Sequence, residues 1–180
     1  MTKIMRGRYM KIKKNIPNLF TLLNLSTGVL AIIHMFYEDY YMAALLILIA
    51  GFLDRFDGMI ARKLNATSSI GKELDSLSDL ISFGIAPSIL VWNLKLIELG
   101  AIGTIITLLF AVGGAYRLAR YNVTDFEGVY LGIPITIAGG LVSIISLYVI
   151  KYGINKYFLA AIMIFLAYSM VSTKLKLKKR

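Results

Sequence analysis

The sequence predicts an all-α integral membrane protein: one domain over residues 1–180, six transmembrane helices, and an amphipathic surface helix at the amino end. Three observations lead there. Hydrophobic residues make up 58% of the chain and charged residues 17%, with a mean hydropathy of +0.72. Soluble domains are about half apolar and roughly a quarter charged. Second, the stretches 19–37, 40–53, 80–94, 99–116, 128–150 and 157–173 contain no Asp, Glu, Lys or Arg. Third, Lys and Arg fall unequally on the connections between those stretches. Together these exclude a disordered tail, an ordinary soluble enzyme and a nucleic-acid arm, and they leave no residues for a second domain. With no Cys in the chain, disulfides, thiolate metal sites and Cys nucleophiles are excluded as well.

The elements follow in order. Residues 3–14 alternate basic and apolar positions, with Ile4, Met5, Tyr9, Met10 and Ile12 as the apolar side of a helix lying on the membrane. About 20 apolar residues cross a bilayer, so helix one is placed near 17–37, opening at Pro17. Its long apolar run and the missing small-residue cleavage pattern set it apart from a cleavable signal peptide. The runs 40–53 and 80–94 are too short alone, and they qualify as helices near 41–64 and 70–93, extended through Asp54, Asp57, Asp75 and Asp79. A polar link over 65–69 joins them as antiparallel neighbours. Pro87, inside helix three, should kink it and release a carbonyl. Helices four, five and six are placed near 97–121, 131–151 and 155–173, with Pro134 early in the fifth. Gly113 and Gly114, and Gly139 and Gly140, offer small-residue packing faces without choosing an interface.

Six spans put both termini on one side. That side collects seventeen Lys and Arg, including Arg55, Arg62, Lys63, Lys72, Arg117 and Arg120, against Lys95, Lys151 and Lys156 on the other. The basic side is cytoplasmic. The net charge of +10 therefore reads as topology and attraction to anionic head groups, with no role for nucleic acid. Tyr37, Tyr40, Tyr41, Tyr148 and Tyr152 form an outer interfacial belt, His34 sits at the far end of helix one, and Asp125 and Glu127 read as loop residues.

Four carboxylates at membrane depth are costly and mark function. Asp54 and Asp57 are three apart, Asp75 and Asp79 four apart, so each pair shares one helix face. Both pairs lie at the cytoplasmic ends of adjoining helices and can converge. Such a cluster must either raise its pKa values or bind cations, and all-oxygen ligands suit Mg²⁺ or Mn²⁺. Four carboxylates make a two-metal site the natural arrangement. Gly58 and Ala61 leave a notch on helix two, read either as close helix packing or as room for a flat ring or diphosphate. Arg62, one turn on, can clamp a phosphate bidentately. This combination points to phosphoryl chemistry on a lipid substrate.

Residues 54–79 read D-x2-D-G-x2-A-R-x8-G-x3-D-x3-D, eight set positions over 26 residues. This resembles the signature of the CDP-alcohol phosphatidyltransferase family, a six-helix membrane family. The resemblance implies transfer of a phosphatidyl-type group from a CDP-linked lipid to an alcohol, with loss of CMP. It implies that Asp54, Asp57 and Asp75 are metal ligands, that Asp79 is both ligand and general base, and that Gly58 and Arg62 contact the CDP moiety. Ser68 would lie near the nucleotide.

Further stretches resemble the bacterial and archaeal serine-using branch: I-P-N-L-F-T-L-L-N over 16–24, D-S-L-S-D-L-I-S-F-G-I-A-P over 75–87, R-L-A-R-Y-N over 117–122 and L-G-I-P over 131–134. What they imply is a CDP-diacylglycerol-type lipid (ester or ether) and L-serine as substrates, a homodimer, and Asn18 and Thr21 near the nucleotide. Arg117 and Arg120 are candidates for the serine carboxylate or the diphosphate, against a reading as snorkelling, topology-setting residues. Asn122, Ser78 and Ser82 are further polar candidates. Competing readings are another acceptor (glycerol phosphate or inositol phosphate), a divalent-cation transporter using the same carboxylates, and a membrane scaffold.

Overall fold

A computed structural model describes the backbone of residues 3–64, 68–124, 129–174 and 176–178, and side chains over 17–60, 63, 68–124 and 131–174. The side chains of Ala61 and Arg62, the apolar side expected over 3–14, most of the 65–69 link, and Asp125 and Glu127 lie outside the described residues.

The described chain is helical apart from one small ribbon. In order it comprises α1 (Lys3–Phe36), α2 (Tyr40–Leu64), α3 (Ser69–Asp79), a π-helical turn (Leu80–Ile85), α4 (Ala86–Leu94), a 3₁₀ turn (Leu96–Leu99), α5 (Ala101–Val123), β1 (Val129–Leu131), α6 (Ile135–Tyr152), α7 (Lys156–Val171) and β2 (Lys176–Lys178). Four spans are long and apolar enough to cross a membrane: Pro17–Phe36, Ser69–Leu94, Ala101–Val123 and Ile135–Tyr152. This is a membrane protein. α2 falls outside that criterion because Asp54, Arg55 and Asp57 interrupt it, and α7 because it has only 16 residues.

Several expectations are corrected. Residues 3–14 are not a separate element, since α1 runs unbroken from Lys3 through Pro17. A proline deletes one backbone bond, but the Lys, Arg, Ile and Met before it are adequate helix formers, so the helix continues. Helix three is interrupted at the site expected from Pro87, and the accommodation is a π turn. The Ala86 N–H donates to the Ile81 carbonyl, five residues back, which widens the helix just before the proline ring. Helix four begins at Ala101, because Gly100 adopts φ 59 and ends the preceding 3₁₀ turn. Helix five begins at Ile135. Residues 129–131 instead pair antiparallel with 176–178, Leu131 opposite Lys176. Gly132 turns at φ 76, and the Ile133 N–H donates to the Ser169 carbonyl, 3.1 Å away. A proline at the helix start costs no bond, because that N–H would have no partner anyway.

Packing places α1 against α2 and α3, α2 against α6, α4 against α5 and α6, and α5 against α7. Ala43, Ala44, Ile47 and Ala50 line the buried side of α2, and Phe83, Leu90, Phe110, Ile135 and Met163 fill the centre. The opposite faces expose Leu22, Val29, Ile33, Ile105, Leu109, Val112, Leu141 and Ile144. In water such faces would be a liability, whereas in hydrocarbon they match the solvent.

Without a hydrophobic force between helices, close backbone approach holds the bundle together. A Cβ at Gly28 would lie 2.9 Å from the Ser82 Cα, and one at Gly139 would lie 2.7 Å from the Phe83 Cα. A Cβ at Gly114 would lie 2.5 Å from Ile135 Cδ1, whereas one at Gly113 would make an ordinary contact 3.4 Å from the Ala167 carbonyl oxygen. Of the four glycines expected to offer packing faces, Gly114 and Gly139 are thus needed for close approach inside the chain, while among the described residues a Cβ at Gly140 meets nothing within 4 Å. Gly139→Val should therefore cost about 1–3 kcal/mol through overpacking. It should lower the thermal unfolding midpoint in detergent, with Gly140→Val as the neutral control. Equal midpoints for the two variants would contradict this packing.

The end remote from the acidic residues is closed by short polar turns. His34 Nδ1 lies 3.2 Å from Asp39, and Asp39 accepts the Met42 N–H at 3.1 Å. Lys95 and Lys156 flank Glu98 at 3.2 and 3.4 Å. The hydrogen bond from Lys95 and its charge, joined by Lys156, hold the Glu98 carboxyl below its ordinary range. Tyr148 and Tyr152 stack at 4.8 Å at this end.

Candidate active site

At the opposite end, α2 and α3 bring their carboxylates together. Oxygens of Asp54, Asp57 and Asp75 all lie within 4.8 Å of one another. Asp79 stands one turn beyond Asp75 on α3, beside this group. Asp57 and Asp79 are buried, Asp54 and Asp75 half-buried. The helical spacings i, i+3 and i, i+4 put each pair on one face, and the short antiparallel connection turns the two faces toward each other.

The residues present suit a hard divalent ion. Asp75 Oδ1 is buried with no hydrogen-bond partner, and the three carboxylates supply only oxygen. No lysine or arginine is seen pairing with them among the described ion pairs.

Helix α1 forms the third wall. Thr21 Oγ1 lies 3.0 Å from Asp57 Oδ2 and 3.2 Å from the Pro17 carbonyl. The hydroxyl has one proton to give, and the charged carboxylate is the stronger acceptor. Asn18 meets the start of α3, where a Cβ at Gly71 would lie 3.1 Å from Asn18 Oδ1 and 3.0 Å from Ser68 Oγ. Ser68 caps α3 by accepting the Gly71 N–H at 3.0 Å. Gly71 is thus a packing glycine. Gly58 is the opposite case: among the described residues, a Cβ there meets nothing within 4 Å. Close packing against the described residues does not explain it.

The sequence profile of the CDP-alcohol phosphatidyltransferase family matches residues 14–172. The chain belongs to this family. Among similar proteins is one from Bacillus subtilis (strain 168) named CDP-diacylglycerol–serine O-phosphatidyltransferase, 39% identical over 158 residues, covering 87% of this chain and 86% of that protein. A protein of the same name from Helicobacter pylori (strain ATCC 700392 / 26695) is 39% identical over 139 residues, covering 76% of this chain and 59% of its own length. An archaetidylserine synthase from Methanothermobacter thermautotrophicus is 36% identical over 131 residues, covering 71% and 56%. The chain thus spans most of the Bacillus protein and under three-fifths of the other two.

Other residues expected at this CDP-alcohol phosphatidyltransferase site fall in two groups. Ser82 joins two helices, its Oγ donating to the Asn24 carbonyl at 3.1 Å, while the Ser78 hydroxyl, with one proton to give, lies 2.9 Å from the Leu74 carbonyl on its own helix and 3.2 Å from the Thr21 carbonyl. Asn122 ties the end of α5 to α3, donating to Ser76 Oγ at 3.0 Å and to Glu73 at 3.3 Å. Arg120 is committed elsewhere than to an anion, with Nη1 2.8 Å from the Val171 carbonyl and Nη2 3.3 Å from that of Leu131. It fastens the end of α7 and strand β1 to α5, because helix C-terminal carbonyls lack backbone donors. Arg117, three residues earlier, is buried and engaged within the bundle.

One residue beside the carboxylates carried no role in the sequence reading. Asn24 is fully buried, with Nδ2 3.5 Å from Asp79 Oδ1. The signal was present: Asn18, Thr21 and Asn24 recur every three residues along an otherwise apolar helix.

Proposed function

We propose that this chain transfers the phosphatidyl-type group of a CDP-diacylglycerol-like lipid, ester or ether, to the hydroxyl of L-serine, releasing CMP. The observation that carries the reading is the convergence of Asp54, Asp57 and Asp75 beside Asp79 at one end of the helix bundle, in a chain 39% identical to a serine O-phosphatidyltransferase along 87% of its length.

In this reading six helices cross the membrane, with both termini and the carboxylates on the cytoplasmic side, where the basic residues collect. Asp54, Asp57, Asp75 and Asp79 would hold Mg²⁺ or Mn²⁺, two ions for four carboxylates. Bound there, the ions supply neutralisation of the diphosphate and of the charge left on CMP. The serine hydroxyl gives its proton to Asp79 and its oxygen attacks the phosphorus bearing the lipid. The bond from that phosphorus to the oxygen bridging it to the CMP phosphate breaks, and CMP departs with the electron pair. Thr21 holds Asp57 in place. The backbone at Gly58, with Ala61 one turn on, admits the nucleotide. Arg62 clamps a phosphate, and Asn18 and Ser68 border the same end. A homodimer fits the reading.

The disposition of Arg120 favours serine over a phosphorylated acceptor. Glycerol phosphate or inositol phosphate brings a second dianionic group, and Arg120 already gives two of its donors to carbonyls. A transporter is disfavoured because the carboxylates cluster at one end of the helices.

A panel of alcohols tested with CDP-lipid, reading CMP release, is the deciding experiment. L-serine should give turnover at least about tenfold above glycerol phosphate or inositol phosphate, since a site built for a polar group discriminates strongly against substrates that mispair it. Turnover with glycerol phosphate and none with serine overturns the acceptor. Divalent-ion flux in vesicles without CMP release overturns the enzyme.

A further inference from the structure

We propose that Asn24 is a positioning residue for the transfer reaction: its amide orients the Asp79 carboxyl toward the acceptor hydroxyl. The inference rests on the transfer reading above and adds to it a residue on a different helix.

Three observations converge. Asn24 has no exposed surface, and its Oδ1 is buried without a hydrogen-bond partner. Burying an amide with half its capacity unmet destabilises a helix interface. An apolar residue of the same volume would pack without that cost, so packing does not account for an asparagine here. Second, Nδ2 faces Asp79 Oδ1 at 3.5 Å. The reversed amide would set two oxygens against each other, so the donor belongs on this side. Third, the backbone that carries the amide is anchored. The Asn24 carbonyl accepts from Ser82 at 3.1 Å, while Gly28 lets α1 close on Ser82. These contacts fix the rotation of α1, and with it the direction of the side chain.

Helix α1 therefore presents one donor to each acidic pair, Thr21 to Asp57 and Asn24 to Asp79. A carboxylate that accepts a proton in the transition state must offer a lone pair in line with the reacting hydroxyl. With one oxygen engaged by Asn24, the orientation of the other is set before substrate arrives. That is pre-organisation, and it acts on turnover rather than on donor binding.

The test uses the full chain in detergent or nanodiscs with Mg²⁺, comparing wild type with Asn24→Leu, which keeps the branched shape, drops the donor and adds bulk, and Asn24→Ala, which cannot overpack. The expected result for both is a fall in kcat on the order of 10- to 100-fold, with KM for the CDP-lipid changed by less than about twofold. Both variants should remain folded at the assay temperature by their thermal midpoints, and Mn²⁺ titration without substrate should give an affinity close to the wild-type value. Unchanged kcat in either variant overturns the proposal. So does a raised KM at constant kcat, which would put Asn24 on the nucleotide. Failure of both variants to fold, or a lowered midpoint with normal kcat in the folded fraction, would make Asn24 structural and also overturn it. If wild type prefers another alcohol to serine, the comparison is made with that alcohol and the proposal is judged alone. A wild type that releases no CMP with any alcohol sinks the transfer reading itself.

Discussion

Asp79→Asn is expected to lower CMP release by roughly 10²- to 10⁴-fold, the usual contribution of a positioned general base. The substitution keeps the shape of the side chain and removes the charge and the proton-accepting lone pair. Asp79 is buried, one turn from Asp75 on α3 and 3.5 Å from the Asn24 amide. Losing one of several crowded negative charges relieves repulsion, so the variant should unfold at or above the wild-type temperature. Rate and thermal midpoint measured on the same preparation separate the two effects. Retention of rate within about threefold would move the base role to another residue.

Removing divalent ions is expected to be as severe and, unlike the substitution, reversible. Chelation should reduce CMP release to background, and Mg²⁺ or Mn²⁺ should restore it. The physical ground is Asp54, Asp57 and Asp75 with oxygens within 4.8 Å and an unpartnered buried oxygen on Asp75. Like charges so close repel strongly where water is scarce. An ion that binds only the folded chain stabilises it by about 2.7 kcal/mol at one hundred times its dissociation constant. For a chain of this size that corresponds to roughly 5–10 °C in thermal midpoint. Calorimetry or a thermal-shift scan with and without chelator reads it directly. Asp75→Asn should shrink the ion-dependent shift even where some turnover survives. An identical midpoint with and without ions would argue against a metal centre built from these residues.

Much of this site was legible because its chemistry is local. Asp54 and Asp57, and Asp75 and Asp79, are separated by one helical turn or less, so spacing alone puts each pair on one face. The short link between α2 and α3 then leaves little freedom in how the two faces meet. Arg120 shows where such reasoning stops. Its position at the end of α5 beside Arg117 suited an anion, yet it reaches two carbonyls on elements 11 and 51 residues away. Nothing in the neighbouring sequence announces those partners. Asn24 was missed for the same reason. Its spacing from Asn18 and Thr21 marks a polar face, but not what that face meets until the neighbouring helix is known to bring Asp79 alongside.

The glycines divide along the same line. Gly58 and Gly139 are indistinguishable as residues, each a gap in a helix wall. Among the described residues nothing approaches a Cβ at the first, while Phe83 fills the space at the second. The strand pairing of Val129–Leu131 with Lys176–Lys178 joins segments separated by two whole helices.

Composition, charge placement and helical periodicity determined by themselves that the chain lives in a membrane and that its acidic pairs share one end, and the motif over 54–79 carried the family resemblance. These are properties of single helices and their nearest connections, where geometry is set by 3.6 residues per turn. The rotation of α1 against α3, the diversion of Arg120 and the π turn before Pro87 were decided by tertiary structure. Each depends on how one helix is seated against another, and that seating is chosen by close packing summed over many distant residues.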